Sequence, residues 1–304
     1  MLYELAIIVG GPAGVAAAVY AARKRLKTIL IAKEFGGQST VSTDVQNWIG
    51  TVSVSGTEFA TMLEKHARAY AQDVVDIVTS EWVEGIEKKD DRFVVKTNEK
   101  KYEAKTVLIT TGSKRRKLLV PGADKFEHKG CTYCASCDGP LFAEQDTVVV
   151  GGGNAGFETA AELLAYVKSV TLLEAGKDFR ADKITIDKVL AHPNMKALTE
   201  VNILEIKGDK FVNAIVYEKD GKQETLPTGG IFVEIGLIPT TSFAKDIVKL
   251  NKYGQIVIDP RTQRTSVEGI WAAGDCTDVL YHQNNIAAGD AVRALEDIYF
   301  HLKT

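Results

Sequence analysis

The sequence predicts an α/β protein of two Rossmann-like nucleotide-binding domains, the second inserted into the first. Three observations carry that expectation. Two segments far apart in the chain share one β-α-β plan around a glycine turn. The second of them lies mid-chain, with strand-like segments of the first domain on both sides. At 304 residues and 45% hydrophobic, the chain is long enough for about two domains.

The first segment is "LAIIVGGPAGVAAAVYAARK", Leu5 to Lys24, followed by the apolar strand "TILIA", Thr28 to Ala32. The second is "TVVVGGGNAGFETAAELLAY", Thr147 to Tyr166, followed by "SVTLLE", Ser169 to Glu174. Each is a β-branched run, a glycine turn and an Ala-rich helical stretch. In such a turn one glycine makes the bend, one admits a pyrophosphate to the backbone, and one lets helix pack on strand. The phosphates then meet the free N–H groups of the helix N-terminus.

The second copy is complete: Gly151, Gly153 and Gly156 give G-x-G-x-x-G, with Asn154 inside the turn. Glu174 follows Gly151 by 23 residues, at a strand end where a carboxylate accepts hydrogen bonds from a ribose diol. The first copy has Gly11, Pro12, Ala13 and Gly14, but Val9 stands at the first glycine position. Either Val9 replaces that glycine or the turn has lost a residue. The same offset from Val9 lands on Ala32, and Glu34 is the nearest carboxylate to a ribose position. Two nucleotide sites in one chain suggest two nucleotides that exchange electrons, such as a flavin and a nicotinamide dinucleotide.

Between the copies, Arg92 to Gly122 reads as a hairpin, a buried strand and a crossover punctuated by Gly and Pro. After the second copy come "GGIFVEIGLIP" (Gly229 to Pro239), "GIWAAGDC" (Gly269 to Cys276) and an Ala-rich last helix. The expected division is therefore 1–113 with 240–304 for the first domain, and 114–239 for the second.

The charge balance, 37 basic against 40 acidic, argues against nucleic acid as the main partner. The chain opens directly into the apolar run Leu5 to Val9, without a basic-then-apolar leader, and no stretch approaches a membrane span. A cytoplasmic protein is expected. In that compartment four cysteines in the chain are not a disulfide scaffold.

Three of the four cysteines lie in "GCTYCASCDGP", at Cys131, Cys134 and Cys137. A structural zinc site needs four ligands, so Cys276 would have to be delivered by the fold. A structural staple and a redox dithiol are the other readings. The chemistry favours a dithiol of Cys134 and Cys137, whose small intervening residues Ala135 and Ser136 permit a tight turn. Asp138 is either a turn residue or an acid/base beside that pair. Cys131 reads as filler of a small apolar slot and Cys276 as packing. No metal is expected. Lys114, Arg115, Arg116 and Lys117 read as a basic cluster at the domain crossing, and Trp48 as core of the first domain.

The order of these features carries a resemblance. A first glycine turn, Gly36-Gly37-Gln38, Thr111-Gly112, Cys134-x-x-Cys137-Asp138, a second glycine turn and Gly274-Asp275 follow one another as in the low-molecular-weight thioredoxin reductase family. Within it, "GCTYCASCDGPLF", "GGIFVEIGLIPTTSF" and "AAGDCTDVLYHQNNIAAGD" more closely resemble the flavoprotein subunit of alkyl hydroperoxide reductase, and that subunit's N-terminal domain is not expected in this chain. The resemblance covers essentially the whole chain. It implies the FAD/NAD-linked disulfide reductase fold, with FAD in the first domain and NAD(P)H in the second.

On that resemblance the first glycine turn, Gly37, Gln38, Asn47, Thr111, Gly112 and Asp275 hold FAD, with Gln283 and the helix from near Ala287 facing the isoalloxazine. Cys137 is the flavin-side sulfur, Cys134 the exchange thiol, and Asp138 the proton donor and acceptor. A homodimer whose domains swing between two postures is implied. Some positions depart from the family: Val9, Thr110, an extra cysteine at Cys131, and His282 where many members carry Arg. Of the NADPH signature, Phe179-Arg180 remains, but Glu174-Ala175-Gly176 replaces the His-Arg-Arg. NADH is therefore the preferred reductant, with Arg180 and Lys177 leaving NADPH possible.

The expected function is a flavoprotein disulfide reductase acting on a thioredoxin-like, glutaredoxin-like or peroxiredoxin-linked protein. The alternatives are an enzyme reduced by a ferredoxin-type donor with a decayed nicotinamide site, and a flavin redox sensor without turnover. The intact second glycine turn speaks against the former, and the dithiol with Asp138 against the latter.

Overall fold

The computed structural model describes residues 1–42 and 45–304. The chain divides into two compact units, one of Met1–Lys114 with Ile238–Thr304 and one of Arg115–Leu237.

The first unit opens with strand β1 (Leu2–Gly10), helix α1 (Pro12–Arg23) and strand β2 (Thr28–Phe35). Helix α2 (Gly56–Ala71) follows, started by a capping box between Ser55 and Glu58 that satisfies two otherwise orphaned backbone N–H groups. Strands β3 (Val75–Thr79), β4 (Val83–Lys89), β5 (Arg92–Thr97) and β6 (Lys101–Ile109) complete its first stretch. Strand β7 (Ser113–Arg115) carries the chain out of the unit.

The second unit contains strand β8 (Cys131–Thr132), the one-turn helix α3 (Ala135–Asp138), β9 (Asp146–Val150), α4 (Asn154–Leu163), β10 (Ser169–Leu173), α5 (Lys183–Leu190) and β11 (Met195–Leu198). Strands β12 (Asn202–Gly208), β13 (Val212–Lys219) and β14 (Lys222–Pro227) form a separate antiparallel sheet. The β13–β14 hairpin turns at Asp220-Gly221, both at positive φ, the backbone for which Asp-Gly is favoured. Strand β15 (Gly230–Val233) returns to the parallel sheet, whose order is β11-β10-β9-β15-β8.

Strand β16 (Leu237–Pro239) brings the chain back and pairs with β7 in a two-stranded sheet. Strand β17 (Ile270–Ala272) and helix α6 (Asn284–Lys303) then finish the first unit. Its sheet runs β3-β2-β1-β6-β5-β4, and β17 also pairs with β6, in parallel.

Alternation along the buried strands sorts the core of the first unit. Leu5 and Ile7 pack with α1, α2 and α6 on one face. Ala6 and Ile8 pack with Ile29, Ile31, Val107 and Ile256 on the other. The alanines of α1 are almost wholly buried, which lets that helix lie close to the sheet and to α6. In the second unit the sheet is likewise covered on both sides, by Phe157, Leu163 and Val189 on the helical face and by Ile206, Ile215 and Tyr217 on the other. Burial on both faces explains why these strands read as unbroken apolar runs. Among the described residues, no helix is long and apolar enough to cross a membrane.

Candidate active site

The two glycine turns have one backbone design. In the second, Gly151 has φ +119°, Gly153 caps α4, and a Cβ on Gly156 would lie 1.9 Å from the Gly151 carbonyl oxygen. In the first, Val9 has φ +84°, Gly11 caps α1, and a Cβ on Gly14 would lie 1.8 Å from the Val9 carbonyl oxygen. Val9 therefore stands at the first glycine's place, and no residue is missing from the turn. Thr110 supports it: its hydroxyl donates to the Ile8 carbonyl at 2.6 Å and lies 3.0 Å from that of Val9. In the sequence Thr110 stands out only as a departure from the family pattern.

Both turns leave room where phosphate must approach. A Cβ on Gly11 or on Gly153 would meet nothing within 4 Å. Around the first turn the structure gathers residues from remote parts of the sequence. A Cβ on Gly37 would face the Gly11 Cα at 3.8 Å, and one on Gly274 would face Ala287 at 3.0 Å and Ala13 at 3.6 Å. Gly112, at φ +63°, opens onto free space. The Asn47 amide donates to the Gln283 side-chain oxygen at 3.2 Å, and the Asn285 amide donates to the Asn47 carbonyl at 2.7 Å. Among the described residues, five buried side-chain atoms have no hydrogen-bond partner in the protein: Thr111 Oγ1, Ser113 Oγ, Gln263 Oε1, His282 Nε2 and Asp290 Oδ2. An open cradle of small residues with polar atoms left to satisfy fits a dinucleotide. Gln38 and Glu34 are exposed; Glu34 lies near the end of β2, whereas Ala32 is buried. Thr111 and Asp275 flank Gly112 and Gly274 in the same unit.

The second turn is braced by a buried carboxylate. Glu174 accepts from the Gly152 N–H at 2.5 Å and from the Gly176 N–H at 2.7 Å. Arg180 approaches the same carboxylate at 3.5 Å while remaining largely exposed. Asn154 caps the following loop by accepting from the Asp182 N–H at 2.8 Å. Glu174 thus shapes the turn, and its three donors leave one acceptor site of the carboxylate.

In the segment of three cysteines, Cys134 and Cys137 form a disulfide with Cα atoms 5.3 Å apart. Cys134 caps the one-turn helix that carries Cys137 and Asp138, and the Asp138 N–H donates to the Cys134 carbonyl at 3.0 Å. Thr132 Oγ1 donates to the Asp138 carboxylate, and Ser136 Oγ to Glu162 at 2.9 Å. Thr132 is a contact that no local sequence signal announced.

The four cysteines differ in access. Cys134 and Cys137 are half-buried. Cys131 and Cys276 are buried free thiols. Burial pushes the Cys131 thiol up to about 12, with the Glu127 charge adding to it, and pushes Cys276 up to about 11. Neither can supply a thiolate near neutrality. Trp48 packs edge-on against Phe59, ring centroids 5.0 Å apart. In the basic cluster, Arg115 lies over the Tyr133 ring at 5.7 Å, and Lys117 pairs with Glu127 at 2.7 Å.

Comparison with known proteins agrees with this geometry. Residues 3–291 match the family described as pyridine nucleotide-disulphide oxidoreductase. A Bacillus subtilis (strain 168) protein named NADH dehydrogenase is 37% identical over 294 residues, 96% of this chain and 57% of that protein. A Staphylococcus epidermidis subunit of alkyl hydroperoxide reductase is 39% identical over 295 residues, again 96% of this chain and 57% of the relative. The chain thus spans little more than half the length of these relatives. The structure of a thioredoxin reductase from Giardia duodenalis superposes with a TM-score of 0.92 at 32% identity, over 100% of this chain and 99% of that one.

Proposed function

The chain belongs to the pyridine nucleotide-disulphide oxidoreductase family, and from that premise we propose that it is a flavoprotein disulfide reductase that takes electrons from NADH and delivers them to a protein disulfide. The observation that carries the reading is the half-buried Cys134–Cys137 disulfide beside Asp138, in a chain whose other two cysteines are buried and held protonated. A working thiol must be reachable, and of the four cysteines only these two are partly exposed.

FAD fits the cradle around Gly11, Gly14, Gly37, Gly112, Gly274 and Ala287, and when bound it links a two-electron donor to the dithiol. The turn of Gly151, Gly153 and Gly156 receives the nicotinamide dinucleotide. The net reaction converts NADH, one proton and a disulfide into NAD⁺ and two thiols. The Cys134 thiolate attacks a sulfur of the partner disulfide, giving a mixed disulfide and releasing one partner thiol. Cys137 then attacks Cys134 and releases the second. Asp138, held by Thr132, gives the proton to the leaving thiolate and later takes it back.

The partner class is a thioredoxin-like or glutaredoxin-like protein or a peroxiredoxin-linked carrier, in line with relatives named for thioredoxin reductase and for alkyl hydroperoxide reductase. The reading includes a homodimer. The test is steady-state turnover of NADH with a panel of oxidised thioredoxin-, glutaredoxin- and peroxiredoxin-type proteins. Anaerobic bleaching of the flavin by NADH with electron delivery to at least one of them is expected. Bleaching with no delivery to any disulfide would overturn the proposal.

A further inference from the structure

Two glutamates border the second glycine turn, Glu174 through its carboxylate and Glu234 through its backbone. Glu174 lies on the β10 side, bonded to the neighbouring Gly152 N–H. Glu234 lies on the other side, directly after β15. Its N–H donates to the Val150 carbonyl at 2.8 Å, and its own carbonyl oxygen would sit 2.3 Å from a Cβ on Gly151.

The strand order β11-β10-β9-β15-β8 fixes what this place is for. From β9 the chain continues to β10 on one side, while β15 lies on the other, so the order reverses between β9 and β15. A dinucleotide straddles such a point beyond the carboxyl ends of the strands. Its adenosine half lies toward the strand that ends in the acidic ribose residue, here β10 and Glu174. Bound there, its nicotinamide half would lie toward β15, and so toward the element that carries Glu234.

Glu234 Oε1 accepts from Thr159 Oγ1 on α4 at 3.1 Å. The charged groups facing it are Arg115 on β7 and Glu158 on α4. The glycine turn contributes backbone only, and β9 contributes Val150. Burial dominates and pushes the Glu234 carboxyl up to about 7; Glu158 adds to this, while Arg115 and Thr159 oppose it.

The nicotinamide ring of NAD⁺ is positively charged and that of NADH is neutral. A carboxylate beside the ring therefore discriminates between them, and a neutral carboxyl does not. Resting on the nicotinamide reading above, we infer that Glu234 is a specificity-determining residue that sets the relative affinity for oxidised and reduced nicotinamide dinucleotide. Its ionised form holds NAD⁺, and its protonation loosens NAD⁺ for exchange with NADH.

The test is calorimetric titration of the oxidised FAD holoenzyme with two probes. One is NAD⁺. The other is 1,4,5,6-tetrahydro-NAD, whose ring is neutral and gives no hydride. Between about pH 6 and about pH 8 the ionised fraction of such a group rises roughly tenfold, so the Kd for NAD⁺ should fall by about three- to tenfold while that of the neutral probe shifts less than about twofold. Near neutrality NAD⁺ binding should release protons, seen as heats that depend on the buffer's ionisation enthalpy. Glu234→Gln keeps the volume and the Thr159 partner and should remove the slope. Glu158→Gln, changed at the exposed neighbour, should retain it. Equal slopes for both probes in the wild type, or a slope that persists in Glu234→Gln, would overturn this inference alone. Failure of both probes to bind at any pH would overturn the nicotinamide reading and this inference with it.

Discussion

The carbonyl oxygen of Val9 lies 1.8 Å from where a Cβ on Gly14 would stand. The close approach depends on Val9 adopting φ +84°, a region that costs a β-branched residue roughly 1–2 kcal/mol. Valine therefore holds a glycine's backbone, with Thr110 hydrogen-bonded beneath it.

Val9→Gly relieves that strain but adds chain entropy of roughly 0.5–1 kcal/mol in the unfolded state and removes a partly buried side chain. The variant should be nearly as stable as the wild type, and its Kd for FAD equal or lower. Gly14→Ala has no such latitude, because backbone occupies the space. It should lose FAD on purification. Denaturant unfolding and the flavin absorbance of the purified variants measure both outcomes; weaker FAD binding by Val9→Gly would show that the valine itself shapes the site.

Cys134→Ser should bleach its flavin with NADH as the wild type does and should reduce no disulfide protein. Cys131→Ala should keep most of the activity, since that thiol is buried in the core of the second unit. Stopped-flow absorbance and coupled turnover separate the two half-reactions.

NADH should exceed NADPH in kcat/KM. On the proposed reading Glu174 would repel a ribose phosphate, and one lost charge-assisted contact amounts to roughly 1.5–3 kcal/mol, or one to two decades. Glu174→Ala should narrow the ratio. It should also weaken both cofactors, because the Gly152 and Gly176 N–H groups lose their acceptor. Glu174→Gln, which keeps an acceptor oxygen, separates the charge effect from the loop effect. A wild type that prefers NADPH would reverse the assignment.

The buried thiols give an alkaline signature. In the folded protein Cys131 and Cys276 ionise at about 12 and about 11. Unfolded, each ionises near ~8.5. Between those values the folded state holds protons that the unfolded state releases, so stability falls as pH rises, by up to about 1.4 kcal/mol per pH unit for each thiol. The stability is intact below that window. Urea unfolding at a series of alkaline pH values should show the decline, and Cys131→Ala should make it shallower. A wild-type stability that is flat across the window would mean the thiols are hydrated.

The sequence was informative where chemistry is local. The glycine turns, the Ala-rich helices and the Cys134-x-x-Cys137 turn are each set by a few consecutive residues, and their spacing alone made them readable. Val9 was ambiguous because its side chain and its backbone demand conflict; only the φ angle decides between a replaced glycine and a shortened turn. Contacts across long separations were not legible. Thr110 to Ile8, Asn47 to Gln283 and Glu234 to Thr159 depend on strand order and register, which no local pattern encodes. Strand β4 was missed as well, since its residues are mostly polar and exposed.

Each unit closes on itself. In the second the Arg116 N–H donates to the Gly236 carbonyl at 3.0 Å, so its two ends meet. In the first, the Thr240 N–H donates to the Gly112 carbonyl at 3.0 Å, and β6 before the interruption pairs with β17 after it. Genetically, residues 115–237 are a cassette with adjoining ends. Replacing such a module should leave the register of the seven-stranded sheet in place, since every strand of that sheet lies outside it.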